Sequence, residues 1–258
     1  MLVVAVPYHL DDYLPGLDLP VTPARVVTTA MPPDDVWERL AALYAPVATA
    51  VTDAIRANAR PVVASGDCMT SLATVTGLQR AGLDPAIVWF DAHGDVQTLE
   101  TTTSGYLGGL PLRLLTGYRP ELIATQLGLR PVAEQQIMLV DARDLDPPEV
   151  TYLRGASIRR ADVADLGDAE LPAGPLYVHV DLDVIDPAAL PGLRFPAPGG
   201  PGPAQVAEAL RFLLDSGRVA AVGIACTWYP GNNAAEQVGS YLNSALRGGP
   251  GRRGQRLE

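Results

Sequence analysis

Two short stretches concentrate the side chains that could do chemistry. Asp91, His93 and Asp95 fall within the run Asp91-Ala92-His93-Gly94-Asp95, and Asp181 and Asp183 open the run Asp181-Leu182-Asp183-Val184-Ile185-Asp186-Pro187. Both follow apolar runs, and residues two apart in extended backbone share a side, so each set is expected to converge. Alone, either motif reads equally well as a helix cap or a solvated acidic turn. Together they bring four carboxylates and an imidazole to the ends of two buried strands. Without a cation each close carboxylate pair would cost on the order of 1 kcal/mol or more. Four carboxylates exceed what one small cation needs and suit two ions that share Asp. An oxygen-rich set with one imidazole favours manganese over zinc. Two divalent ions sharing a water generate hydroxide near neutral pH and polarise what it attacks. The residues therefore predict a two-metal hydrolase holding two Mn²⁺ per chain.

Such a cluster needs strands that end together. Apolar runs rich in Val, Ile and Leu recur at residues 2–6, 61–64, 86–90, 137–140, 176–180 and 219–225, each reading as a strand buried on both faces. Helical patterns over 34–58, 71–81 and 203–216 alternate with them, the last carrying Val206, Ala207, Leu210, Leu213 and Leu214 on one face. The alternation predicts an α/β fold, a three-layer α/β/α sandwich with a mainly parallel sheet. Ligands in such sheets gather beyond the carboxyl ends of the strands. Ser65-Gly66-Asp67-Cys68, the Asp91 stretch and the Asp181 stretch all fall there. Residues 191–203, rich in Pro and Gly, read as a loop rather than a linker, so one domain is expected over 1–246 with a flexible Gly/Arg-rich tail over 247–258.

Bulk properties exclude more than they select. A net charge of -10 argues against nucleic acid or an anionic membrane as partner and is compatible with a cationic small molecule. Cys68 and Cys226 make no disulfide framework, which points to a reduced, cytoplasmic setting. No stretch has the character of a signal peptide or the length of a membrane span. Every basic residue is Arg, a coding bias rather than a functional signal.

The chain resembles the ureohydrolase family of arginases and agmatinases. The resemblance rests on the Asp-Ala-His-x-Asp motif at Asp91, the Asp-x-Asp-x-x-Asp-Pro motif at Asp181, and Gly66-Asp67-Cys68 where the family has Gly-Asp-His. It implies an arginase-like fold in which Asp91 and Asp181 bridge two ions, Asp95 completes one shell, and His93 and Asp183 complete the other. It also places Cys68 as a thiolate ligand, although an isolated buried Cys often behaves as a small hydrophobe. A thiolate is softer than imidazole and tilts the site towards zinc or iron, but carboxylates still dominate.

The same resemblance implies an α-amino-acid substrate. Thr102 and Ser104 fall on hydroxyls that bind its carboxylate, Gln97 and Tyr106 stand where Asn is usual, and Asp146 and Glu149 fall on acids that receive its α-amino group. Asp146 and Glu149 also read simply as the start of a helix. Two positions depart further: Gly108 replaces a proton-shuttling His, and Thr227 replaces a Glu that anchors the guanidinium. An N-hydroxyguanidine is less basic than a guanidine, so it needs less of a buried carboxylate. Thr227 could hydrogen-bond it, and the leaving-group proton could pass through Asp183. These departures resemble the branch of the family that splits Nω-hydroxy-L-arginine into L-ornithine and hydroxyurea in antibiotic biosynthesis. The alternatives are an arginase, an agmatinase or another guanidino-acid hydrolase, or a catalytically decayed homologue that binds a metabolite. His179 is expected to be a core or supporting histidine, and His9 has no assigned role. A monomer is expected rather than a trimer or hexamer, because the tail is poor in apolar residues.

Overall fold

A computed structural model describes residues 1–248. Among the described residues ten strands form in chain order: β1 (Leu2–Val6), β2 (Tyr8–His9), β3 (Asp12–Tyr13), β4 (Arg25–Val26), β5 (Pro61–Ser65), β6 (Ala86–Asp91), β7 (Ile137–Asp141), β8 (Arg159–Ala161), β9 (Leu176–Asp181) and β10 (Val219–Ala225). Eight of them make one sheet in the order β4-β1-β5-β10-β9-β6-β7-β8, and every pairing in it is parallel. β2 and β3 form a separate antiparallel hairpin.

The continuous apolar runs are explained by the layers on either side. Val63 of β5, Ile87 and Trp89 of β6 and Tyr177 of β9 face one core, packed by α1 (Val36–Arg56) and α2 (Ser71–Arg80). Val62, Ala64, Val88, Phe90, Val178 and Val180 face the other, packed by α6 (Pro203–Asp215) and α7 (Ala234–Arg247). The three-layer α/β/α expectation therefore holds. Burying each large apolar side chain contributes about 1.5–3 kcal/mol. A core of this size can carry a desolvated acidic cluster that costs several kcal/mol per ion.

The predicted helices form with trimmed ends; α1 starts at an N-cap, Asp35, whose carboxylate accepts from the amides of Trp37 and Glu38. Three short helices lie between β6 and β8: α3 (Pro111–Leu115), α4 (Ala124–Leu127) and α5 (Pro147–Gly155). The edge strands β4 and β8 and the helix α7 were not expected from the pattern. The edge strands are two and three residues long, too short to show a period. The predicted tail begins at 247, yet Arg247 closes α7; residues 249–258 of that tail lie outside the described residues. Among the described residues no helix is long and apolar enough to cross a membrane.

The topology fixes where a site can form. After β5 the chain crosses to β6, and β10 and β9 later fill the two places between them. The carboxyl ends of β5, β10, β9 and β6 therefore line one crevice at the centre of the sheet, with Ala225 in register with both Ser65 and Asp181.

Candidate active site

Each central strand delivers a group into a cavity of about 140 Å³. β5 leads to Cys68, β6 ends on Asp91 and leads to His93 and Asp95, β9 ends on Asp181 and leads to Asp183, and β10 leads to Thr227. The ligand atoms of Cys68, Asp91 and Asp181 lie within 4.8 Å of one another, as do those of Asp91, His93 and Asp183. Asp91 belongs to both groups. Asp95 lines the same cavity outside these two tight sets.

The convergence has a different cause from the predicted one. Strand pairing stops at Asp91 and at Asp181, so alternation in an extended strand does not carry the later residues. The chain turns back instead. The His93 amide donates to Asp91 Oδ1 at 2.7 Å, and the Asp183 amide donates to Asp181 Oδ1 at 2.9 Å within a 3₁₀ turn. Asp95 adopts φ 53°, a left-handed conformation that non-glycine residues rarely hold. Short polar side chains turning back onto their own backbone bring the set together.

The carboxylates are tied down from several sides. Asp181 accepts from Thr227 Oγ1 at 2.6 Å and from Cys68 Sγ at 2.8 Å. Asp91 accepts from Trp89 Nε1 at 3.1 Å. His93 Nδ1 lies 3.3 Å from Asp91 Oδ1 and 3.2 Å from Asp183 Oδ2. Behind Cys68, His179 places Nε2 at 3.2 Å from the sulfur and Nδ1 at 3.0 Å from Ser71 Oγ, with its ring 3.9 Å from that of Trp89. His179 is thus the supporting histidine expected, and burial holds its pKa down to about 3.

Electrostatics show what the cluster lacks. Burial, then the charges of Asp183 and Asp91, pushes the Asp181 carboxyl well above the usual range. Burial, then Asp91 and Asp181, does the same to Asp95, and burial and Asp91 raise Asp183 to about 6. Burial followed by Asp181 and Asp95 raises the Cys68 thiol. Burial opposes the charge on His93, but its hydrogen bonds to Asp183 and Asp91 prevail and raise it to about 12. Asp91 is also penalised by burial, yet His93 holds it below the usual range. Asp95 Oδ2 is buried without a hydrogen-bond partner. A buried acidic set that gathers protons and leaves one oxygen orphaned fits a cation's donor shell.

The predicted substrate residues line the same cavity, from its opening to its buried wall. Thr102 Oγ1 and Ser104 Oγ lie 3.5 Å apart at the opening. Gln97 Nε2 donates to Asp146 Oδ2 at 2.9 Å, and Gln97 Oε1 accepts from Thr101 at 2.7 Å. Asp146 and Glu149 line the cavity and also stand at the capping box that starts α5, so the helix-start expectation is met. Glu149 accepts from the amides of Val96 and Asp146, which occupies both of its oxygens. Thr227 donates its only hydroxyl hydrogen to Asp181.

Two neighbours escaped the sequence, and a third was read for a different reason. Phe195, from the Pro/Gly loop, reaches the cavity and packs edge-on to His93 with ring centroids 6.4 Å apart. Arg143 holds that loop by donating to the carbonyls of Val184 and Ala197. Tyr106 packs over the cavity beside His9. Tyr106 stands out in the sequence only for occupying an Asn position; its packing against Gly108 shows only in the fold.

Residues 12–227 match the model of the arginase family, and the chain belongs to that family. All six candidate metal donors lie inside the matched span, and His9 lies outside it. Among curated relatives, the Nω-hydroxy-L-arginine amidinohydrolase of Streptomyces lavendulae is 34% identical over 167 residues, 62% of this chain and 58% of that protein. The arginase of Bacillus subtilis (strain 168) is 28% identical over 184 residues, 66% of this chain and 62% of that one. The matched segments thus span about three fifths of these relatives. Among solved structures, the arginase of Bacillus caldovelox superposes with a TM-score of 0.80 at 21% identity, covering 95% of this chain and 97% of that chain. The Entamoeba histolytica arginase in complex with L-ornithine gives 0.76 at 19% identity, covering 95% and 96%. These likenesses show an arginase fold.

Proposed function

We propose that the protein is a dinuclear-manganese amidinohydrolase that cleaves Nω-hydroxy-L-arginine to L-ornithine and hydroxyurea. The observation that carries this is the sharing of Asp91 between two donor groups, Cys68–Asp91–Asp181 and Asp91–His93–Asp183. Cys68, Asp91, Asp95 and Asp181 would hold one ion, and Asp91, His93, Asp181 and Asp183 the other. Bound there, the ions would supply a water that ionises near neutral pH and stabilise negative charge developing at the guanidino carbon.

The protein's own groups do the remaining work. Thr102 and Ser104 donate to the α-carboxylate. Asp146 receives the α-ammonium group directly, with Gln97 holding its carboxylate in place, and Glu149 contributes negative charge from behind. Asp183, beside the proposed ions, takes the proton of the attacking water and passes it to the departing nitrogen. Thr227 has spent its hydrogen on Asp181, so towards a guanidino N–H it offers only lone pairs. An uncharged acceptor suits an N-hydroxyguanidine better than a guanidinium. The Streptomyces lavendulae relative supports this substrate, and the arginase relatives support the runner-up, L-arginine. The same reading takes the protein as a cytoplasmic monomer, in keeping with two free cysteines and checked by its mass in solution.

Steady-state kinetics of the manganese-loaded protein on Nω-hydroxy-L-arginine, L-arginine and agmatine, with hydroxyurea and urea detected separately, tests the reading. The expected result is the highest kcat/KM for the hydroxyarginine. A preference for L-arginine would make the protein an arginase. No turnover of any of them at full metal occupancy would leave the decayed, metabolite-binding homologue.

A further inference from the structure

The reaction described above leaves unused a phenol that faces the cavity. Tyr106 lines the cavity, and its ring occupies the space a side chain on residue 108 would need. A Cβ on Gly108 would stand 2.3 Å from Cε1, Cζ and the hydroxyl oxygen of Tyr106. Positions 106 and 108 thus form one unit, in which the glycine makes room for the ring. Phe195 packs against the ring with centroids 4.8 Å apart, and His9 stacks on it at 5.6 Å with the planes 11° apart.

The hydrogen bonds define a direction. His9 Nδ1 lies 2.8 Å from the carbonyl oxygen of Gly66, which can only accept, so Nδ1 carries a hydrogen. His9 Nε2 is left to face the Tyr106 hydroxyl at 3.2 Å. When His9 is neutral, Nε2 accepts the phenolic hydrogen. When His9 is protonated, Nε2 donates to the phenol oxygen and leaves the phenolic hydrogen free to point into the cavity. His9 is only half-buried, on the hairpin between β1 and α1, so it reaches from the cavity towards solvent. Burial, then the charge of Asp67, raises the Tyr106 phenol well above its ordinary range, so it can give its proton only as another arrives.

Amidine cleavage needs what this pair can give. The water's proton, passed through Asp183, makes the departing nitrogen an amine. An alkylamine becomes ammonium at neutral pH and so takes a second proton. His93 Nδ1 is committed to Asp91 and Asp183, and the Tyr106 hydroxyl, unlike those of Thr102 and Ser104, has an imidazole behind it that can supply a proton as it gives its own. Resting on the amidinohydrolase reading, we propose that Tyr106 is a catalytic proton donor to the departing amine and that His9 reloads it. As the C–N bond breaks, its electron pair stays on nitrogen. The nitrogen takes one proton by way of Asp183 and a second from the Tyr106 hydroxyl. The phenol oxygen takes the Nε2 proton of protonated His9 as it gives up its own, so no free phenolate forms, and the neutral imidazole, with Nδ1–H still on Gly66, takes a proton from solvent.

Tyr106→Phe keeps the ring over Gly108 and against Phe195 and removes only the proton. In the manganese-loaded protein turning over Nω-hydroxy-L-arginine, this variant should lower kcat on the order of a hundredfold, and KM should stay within about twofold because ground-state contacts are kept. His9→Ala should lower kcat similarly. Imidazole added to the medium should restore His9→Ala, with rates following the basicity of substituted imidazoles, and should leave Tyr106→Phe slow. An active unaltered protein whose Tyr106→Phe variant keeps its kcat would sink the proton-donor role alone. A slow His9→Ala that ignores imidazole would overturn the reloading role. An unaltered, fully loaded protein that turns over no guanidino substrate would take down the amidinohydrolase reading and this inference with it.

Discussion

Asp91, Asp181 and Cys68 stand at or just past strand ends, 1–3% exposed, and are hydrogen-bonded to one another or to neighbouring strands. Thr102 and Ser104, on the loop that leaves the same β6 strand, lie at the opening and touch each other only at 3.5 Å. The floor of the cavity is positioned by a parallel sheet with two packed cores behind it; the rim is positioned by loops resting on one another. A rigid floor keeps the chemistry constant, and a separable rim can change which molecule is presented to it. If this division is right, variants of the floor and of the rim should fail in different ways.

The largest effect is expected at the floor. Asp91→Asn removes the carboxylate shared by both donor groups, and turnover should fall below detection, with fewer than two manganese ions per chain by elemental analysis. A variant that kept its metal and its rate would break the comparison outright.

Removing the metal with a chelator comes next. A ligand present at a hundred times its Kd stabilises the native state by about 2.7 kcal/mol, which in a chain of this size corresponds to a melting-temperature drop of about 5–10 °C on its removal. The pH trend of the metal-free protein sharpens the point. Asp181, Asp95 and Asp183 have folded pKa values raised above the unfolded ones, Asp183 to about 6. Their stabilisation is complete below about pH 4, the unfolded carboxylate range, and is lost as pH rises through the folded values. His93, raised to about 12, contributes fully only below its unfolded pKa and loses that contribution as pH rises further. His179, held down to about 3, works the other way up to its unfolded pKa, but it is one group against three carboxylates and His93, so the metal-free protein should melt lower at pH 8 than at pH 5. A rise over that interval, measured by calorimetry, would contradict the charge balance assigned to the floor.

Rim variants should leave metal and stability alone. If Thr102 and Ser104 bind the α-carboxylate as proposed, Thr102→Ala and Ser104→Ala each remove a hydrogen bond to a charged group, and KM for an amino-acid substrate should rise roughly tenfold per variant, while metal content stays at the unaltered value. The smallest effect is expected outside the cavity. Glu100 accepts from Tyr118 at 2.6 Å and pairs with Arg119 at 2.5 Å on the exposed side of the same loop. Glu100→Gln should leave KM and melting temperature unchanged within error, since exposed pairs contribute little.

How much of this was legible follows from how local each feature is. The strand ends and the donors at them could be read because an apolar run followed by Asp-x-His or Asp-x-Asp is a local pattern. Even there the stated geometry was off: alternation predicted a straight strand through Asp95, whereas the backbone turns back at Asp91 and takes φ 53° at Asp95. Local composition cannot show a carboxylate capturing its own backbone amide in preference to the next ladder bond. The rim was legible only in part. Glu149 was expected either to bind substrate or to cap a helix, and the fold gives it the capping bonds while keeping it on the cavity wall. His9 was left without a role, because its partners are Gly66, 57 positions away, and Tyr106, 97 positions away.

The sequence by itself determined the fold class, the order of the strands' reactive ends, the donor types and the family, because each is written in short runs whose physics is local. Tertiary structure decided that four strands distant in the chain end in one crevice, that Thr227 spends its hydrogen on Asp181, and that the Tyr106 ring fills the space above Gly108. Those outcomes depend on which surfaces meet when the two cores close on the sheet, and no local pattern encodes a contact between residues that only packing brings together.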